Sequence, residues 1–563
     1  MKMNNIIKGT VVLLGSAVML TGCIKETFPE GGYALPDQIL ESPFAADGLI
    51  ASMPTMLVTN YIDIGQHFDF GYPGMLVALD HLAGEIFPVA GNLPGGNQYY
   101  DRFIPFMYHE EAYLSAASGW TTFFWTNYYQ FIKSTNDILA SAGDSESMKE
   151  ARGVAKTFRA LYYLDLARLF DPLPAKAEKG NYETEVMKVQ GLTVPVVTES
   201  TTLDELKNNP RLPREEMFAF ILDDLKAAET DLEGYKPASR NFPTQAVVYG
   251  LLARTYLWLG QFSENYEGVP TGNDAYKLAA EYARKAIETS GATVLTEGQY
   301  LDKTTGFNTV NNSWIWAMIQ SNDTVLNNLL SFTAHMSLDA CYGYGRLAEF
   351  GISALSYERM EASDWRRKVF VAPDVTYADV APYVNMTEAD WNDANGEFGV
   401  GIAPYANIKF KPNQGETQNY DIANVTSIPL MRAEEMYLIE AEAAAHYDAG
   451  TAVSLMKSFM ATRGVASYNP PAESNALAEE IVFQKRIELW GEGQAIFDMK
   501  RLNISVHNGD EGSNAPADAR FTTDGRAPWW NLVVPLSAVQ QNAAMENGEK
   551  NNPDPTKSYS SRN

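Results

Sequence analysis

The stretch Glu150–Phe170, EARGVAKTFRALYYLDLARLF, decides how this chain is read. Ala155, Phe158, Tyr162, Leu166 and Leu169 recur at steps of three and four, which puts them on one stripe of an amphipathic helix. The stretch runs into Asp171-Pro172-Leu173-Pro174. Proline cannot continue helical hydrogen bonding, so the helix is expected to stop there. Two further units repeat the pattern. Between Pro243 and Gly291, Val248, Leu252, Tyr256 and Leu259 line one expected helix and Ala279, Ala283 and Ala286 the next, separated by Gly260 and the loop to Asp274. Small residues facing large ones let antiparallel helices approach closely, in the manner of a tetratricopeptide helix pair. A third unit starts at Arg432, with Ala433, Tyr437, Ala441 and Ala444 on one face, then Gly450 and a partner helix through Arg463. The units share no fixed period. The expected fold is therefore mostly α: a tetratricopeptide-like helical core with long irregular insertions containing a few short strands.

The insertions, at about 60–125 and 292–425, differ in composition from the helical units. The first holds NLPGGNQYYDRF at 92–103. The second mixes strand-like runs such as Ser313-Trp314-Ile315-Trp316-Ala317 with glycine turns such as Tyr342-Gly343-Tyr344-Gly345. Irregular segments held by a rigid frame are where binding residues concentrate.

At the N-terminus, Lys2 and Lys8 precede the apolar run VVLLGSAVML, which ends in Leu20-Thr21-Gly22-Cys23. A charged start, an apolar stretch too short for the ~20 residues that span a bilayer, and small residues before a cysteine read as a cleaved export signal over 1–22. The motif resembles a bacterial lipobox, which implies acylation of Cys23. Residues 23–45 are then a lipidated tether, and 46–563 the folded domain. No later segment is long and apolar enough to span a membrane. With Cys23 acylated, Cys341 is the remaining thiol and no intramolecular disulfide is expected.

The chain has 70 acidic and 43 basic residues, a formal net charge of -27 that repels phosphate backbones, and no basic cluster offsets it. Nucleic acid is excluded as a partner. Six scattered histidines show no ligand spacing, and His109-Glu110-Glu111 lacks the second histidine of a zinc-protease helix. No metal and no cofactor is expected. The oxygen-rich run from Asp390 to Glu397 looks like part of a calcium loop but lacks the closing glutamate six positions past Gly396, and reads as polar surface. No nucleophile elbow or P-loop is present. The carboxylate pairs Glu215-Glu216, Asp223-Asp224 and Glu434-Glu435 are adjacent on expected helices, so each points two ways and reads as a solvated face. An enzyme is not expected.

Taken in order, several blocks resemble the SusD/RagB family of nutrient-binding outer-membrane lipoproteins. They are Trp125, Tyr129, Ile132 and Asn136 in WTNYYQFIKSTN, Arg159-Ala160 with Tyr162-Tyr163, the helix pair from Ala246, and Asp364-Trp365-Arg366. Arg432-Ala433-Glu434-Glu435, Glu488-Leu489 with Glu492-Gly493, Phe497 to Arg501, and Val534-Pro535-Leu536 with Gln541-Asn542 follow. Two positions depart from the family pattern, Gly491 where an aromatic is usual and Ala495 where an arginine is usual, which puts local helix packing in question. Lys25-Glu26 resembles a surface-display tag. The resemblance implies a surface-exposed, lipid-anchored protein of the outer membrane. It would capture oligo- or polysaccharide for import through a TonB-dependent SusC-like transporter. Rival readings are a peptide-binding relative, a scaffold lipoprotein that uses its helix pairs, and, last, an anchored glycosidase.

Sugars present C–H faces that stack on aromatic rings and hydroxyls that need polar partners beside them. The residues expected to meet the ligand are Tyr72, Asn97, Tyr99, Tyr100, Arg102 and Trp120 in the first insertion, and Tyr342 and Tyr344 in the second. In the family, ligand contacts tend to come from these same two regions of the chain. Trp314 and Trp316 alternate with apolar neighbours in a strand-like run, which makes at least one of them core, and Trp529 and Trp530, ahead of an apolar segment, read as packing.

Overall fold

The computed structural model describes residues 45–58, 67–89, 114–321, 329–392, 401–545, 550–556 and 558. The lipobox-like segment with Cys23, the Lys25-Glu26 tag, and Asn97, Tyr99, Tyr100 and Arg102 lie outside them. The main helices are α1 (Ala45–Leu57), α2 (Tyr72–Ala83), α3 (Gly119–Ala142), α4 (Lys149–Phe170), α5 (Arg214–Asp231), α6 (Gln245–Leu259), α7 (Gly272–Ser290), α8 (Ala433–Ala445), α9 (Ala449–Thr462), α10 (Ser474–Glu488) and α11 (Ala495–Arg501). From α3 to α8 each of these packs on the next, and α8 also meets α9 and α10, so the core is a stack of helices built from the units read in the sequence. None of the described helices is long and apolar enough to cross a membrane.

α4 shows why the stack holds. It is wedged between α3 and α5, and every residue from Thr157 to Phe170 is buried. A helix covered on all sides must satisfy its polar residues internally. Arg159 forks onto Asp224 of α5, with Nε–Oδ2 2.7 Å and Nη2–Oδ1 2.8 Å, and Asp165 accepts from the Tyr72 hydroxyl at 2.6 Å and the Tyr128 hydroxyl at 3.0 Å. The expected small-on-large contact is present between α6 and α7, where Ala279, Ala283 and Ala286 are fully covered. Gly260 closes that pair, since a Cβ there would stand 2.3 Å from the Tyr276 ring.

Two short antiparallel sheets tie down the second insertion, one to the first insertion and one to the strand that leads into α8. β1 (Phe87–Pro88) pairs with β3 (Phe350–Gly351), and β2 (Trp314–Ile319) pairs with β4 (Ser427–Arg432), which runs straight into α8. Trp314 and Trp316 are both in the core, and the Trp316 indole N–H donates to the Asn241 carbonyl at 3.1 Å. Trp529 and Trp530 are buried as expected, and both donate to the Leu82 carbonyl.

The carboxylate pairs differ from expectation. Glu215, Glu216 and Asp223 are exposed, whereas Asp224, Glu434 and Glu435 are buried in ion pairs. Glu435 holds Arg254 of α6 at 2.6 and 2.7 Å, and Glu434 belongs to a larger cluster centred on Glu488 at the end of α10. Glu488 meets Arg432 at 2.8 Å, Arg463 at 3.0 Å and Arg366 at 3.3 Å. Glu492 receives Arg432 at 2.9 Å and the Lys409 ammonium at 2.6 Å. Burial pushes the Glu488 carboxyl up, but Arg463, Arg432 and Arg366 outweigh it and hold the group far below the usual glutamate range. Many of the motif residues that carry the family resemblance are therefore members of closed charge clusters. The Gly491 departure is also explained: its φ is +78°, and a Cβ would lie 2.5 Å from the Phe410 ring, so an aromatic side chain has no room there.

Candidate functional site

Among the described residues, aromatic rings reach the surface beside amide side chains where the loop 413–424 lies against the segment 339–344. The loop is shaped by local hydrogen bonds. Gln414 and Gly415 both have positive φ, +57° and +71°, which turns the chain after Pro412. The Glu416 carboxylate then accepts from the backbone N–H of Gln418 at 2.9 Å and of Asn419 at 3.0 Å, and the N–H groups of Asn419 and Gln418 hold its carboxyl below the usual range. The Asn419 side chain caps the short helix Tyr420–Ala423 by accepting from Asp421 N–H at 3.1 Å, and the Asn413 amide reaches the Ile422 carbonyl at 3.2 Å.

Tyr420 is thereby set at the surface, 39% exposed, beside Ile422 at 38%. Its ring centroid lies 6.2 Å from that of Tyr342, tilted by 60°. Tyr342 is half-buried and its hydroxyl donates to the Asn424 side-chain oxygen at 2.5 Å. Burial pushes its phenol well above the usual value, so it stays protonated and donating. The two segments are joined where Cys341 N–H donates to the Thr417 carbonyl at 3.0 Å, and Asp339 fixes the neighbouring segment 385–386 by accepting from Asn385 N–H at 2.9 Å and Met386 N–H at 3.2 Å. The Cys341 thiol is pushed up to about 12 by burial, so it is no nucleophile near neutral pH. The arrangement offers two angled rings flanked by Asn413, Gln418 and Asn419, a surface suited to the C–H face and hydroxyls of a sugar.

Of the aromatics expected to meet ligand, Tyr342 stands in this surface. Trp120 is half-buried in the first turn of α3, with one face stacked on Phe68 at 3.7 Å. It belongs to a helix and not to the irregular insertion, because Ser118 caps α3 by accepting from Thr121 N–H at 3.1 Å. Tyr72 and Tyr344, contrary to expectation, are buried. Tyr72 opens α2, is 2% exposed and spends its hydroxyl on Asp165. Tyr344 is 3% exposed in the short helix Tyr344–Ala348, with its hydroxyl on His67 Nδ1 and its ring 4.9 Å from His335. Tyr420 and Asn424 are the residues that sequence reading passed over. The signal was available in GETQNYDIAN, an aromatic among amides inside the second insertion. Asp390 accepts from Thr387 N–H at 3.1 Å and from its hydroxyl at 2.7 Å, which occupies one of its oxygens in capping the helix Glu388–Asn392, and no cluster of metal-binding side chains occurs among the described residues.

Helical stack, strand-tied insertions and a surface of paired rings define a helical-repeat scaffold with irregular insertions. The chain belongs to the SusD/RagB family. A family model described as "SusD family" matches residues 359–560, and one described as "Starch-binding associating with outer membrane" matches 98–257. Among solved structures, a SusD-like carbohydrate binding protein from Bacteroides vulgatus is similar at 20% identity with a TM-score of 0.66, covering 90% of this chain and 98% of that one. A SusD superfamily protein from Bacteroides thetaiotaomicron is similar at 16% identity and a TM-score of 0.64, covering 91% and 100%. One from Parabacteroides distasonis stands at 18% identity and 0.60, covering 84% and 92%. No curated protein matches the chain.

Proposed function

We propose that this protein is a lipoprotein of the outer membrane, anchored through an acylated Cys23 and displayed at the cell surface. There it captures oligo- or polysaccharide for import through a TonB-dependent SusC-like transporter, without cleaving it. The observation that carries the ligand class is the Tyr342–Tyr420 ring pair, braced through Asn424 and bordered by amides. Membership of a family that includes a starch-binding outer-membrane group supports the same reading, as does the likeness to a carbohydrate-binding structure. Trp120 at the start of α3, and Asn97, Tyr99, Tyr100 and Arg102 of the first insertion, extend the proposed ligand contacts. Asp224, Glu435 and Glu488 are buried and consumed in ion pairs with Arg159, Arg254 and Arg432, which leaves these three as acceptor-only partners of those cations and not as the acid or base of a glycosidase pair.

The test is a glycan array probed with the purified full-length chain in detergent, followed by chromatography of the recovered ligand. Neutral glycans retained and recovered intact are the expected result. Retention of peptides in place of glycans, or recovery of shortened glycans, contradicts it.

A further inference from the structure

A concave site that shares no lining residue with the Tyr342 surface lies at the edge of the stack where α5 ends, α6 begins and α7 ends. It is a groove of about 290 Å³, close to the lower end of the ~300–1,000 Å³ typical of small-molecule sites. Its walls carry Tyr235 and Phe242, both half-buried, with Lys236, Arg240, Ser239 and Gln245 beside them. The chain as a whole carries 70 acidic against 43 basic residues, yet the groove lining holds two cations and no carboxylate. Neither Lys236 nor Arg240 makes an ion pair among the described residues, and the two carboxylates that act on the Tyr235 phenol, Asp47 and Glu150, are not in the lining. Two helix C-termini and one N-terminus meet at the groove, so helix dipoles give no net attraction for an anion and the side-chain cations set the field.

The walls are also held before any ligand arrives. The Arg240 carbonyl accepts from Ala317 N–H at 2.9 Å and the Asn241 carbonyl from the Trp316 indole at 3.1 Å, which pins this segment to β2. Gln245 is anchored by donating to the Glu229 carbonyl at 3.1 Å. A pinned backbone with aromatic faces, a guanidinium and an ammonium matches a ring that carries a negative substituent. We propose that this groove binds an anionic sugar unit, uronate- or sulfate-bearing, its ring on Tyr235 and Phe242 and its charged group between Lys236 and Arg240. The sugar class rests on the glycan-capture reading; the charge preference rests on the groove alone.

The experiment is calorimetry of the full-length chain with a galacturonate trimer and with a 6-sulfated galactose disaccharide, at low and high salt. It is run on the parent, on the double variant Lys236→Gln/Arg240→Gln, and on Tyr342→Ala/Tyr420→Ala. The expected result is salt-sensitive binding of at least one probe, weakened about tenfold or more in the groove variant by loss of charge-assisted hydrogen bonds, and kept in the tyrosine variant. Which probe binds distinguishes carboxylate from sulfate. Absence of binding to the parent, equal binding by the groove variant, or loss confined to the tyrosine variant overturns the proposal. Neutral-glycan binding, read separately, reports on the Tyr342 surface and not on the groove.

Discussion

Around Glu488 the charged side chains are closed inside the core: Arg366, Arg432, Arg463 and Lys409 face Glu488, Glu492, Glu434 and Asp364 with almost no water contact. Around Tyr342 and Tyr420 the same kinds of side chain do something different, because Glu416, Asn419 and Asn413 bond only to the backbone of their own loop and leave the rings at the surface. In the first region every charge depends on an opposite charge that water cannot replace. In the second, water can replace most of what a substitution removes. Stability should therefore reside in one region and ligand affinity in the other.

The largest way to break this contrast is Glu488→Gln. It leaves Arg366, Arg432 and Arg463 short of a buried counter-charge, and is expected to destabilise the fold by ~3–5 kcal/mol, measured by urea unfolding, with glycan affinity of the folded fraction unchanged. A loss below about 1 kcal/mol, the scale of an exposed pair, would show that water reaches the cluster.

A second, smaller effect is on acid stability. The folded Glu488 carboxyl titrates below its ordinary value of 4.5, so in acid the unfolded chain binds more protons than the native one. The stability that Glu488 contributes is complete above that range and is lost as pH falls through it toward the folded value. Unfolding free energies between pH 6 and pH 3 should decline more steeply for the parent than for Glu488→Gln, and parallel curves would contradict the assignment.

Cys23→Ala should leave the unfolding curve untouched and move the protein out of the membrane fraction. Recovery of the variant still in the outer membrane would sink the lipid-anchor reading. At the small end, Tyr420→Ala removes a ring that is 39% exposed and is expected to change stability by no more than ~0.5 kcal/mol.

The helical frame was legible in the sequence because its signal is periodic. The helix read from Glu150 ends at Phe170, and the pair read from Pro243 spans Gln245–Leu259 and Gly272–Ser290. What the sequence concealed was pairing. Glu434 and Glu435 look like a solvated doublet until Arg432 and Arg254 are brought to them from β4 and α6. Tyr72 and Tyr344 look like loop aromatics, yet their partners Asp165 and His67 are 93 and 277 residues away in the chain. Tyr342 was readable as a turn aromatic, whereas its companion Tyr420 is supplied by a loop whose shape depends on the positive φ of Gln414 and Gly415, a feature with no hydrophobic period.

The most direct test of the account is calorimetry with the best neutral glycan from the array on the parent, Tyr342→Ala, Tyr420→Ala and the double variant, each first shown to unfold like the parent. Loss of one stacking ring is expected to cost ~1–3 kcal/mol, by analogy with bases stacked on aromatics, so each single variant should bind about tenfold or more weakly, and the double variant more weakly still. Binding by the folded double variant within a factor of about two of the parent, a difference of under ~0.5 kcal/mol, would contradict the claim that the Tyr342–Tyr420 surface holds the ligand.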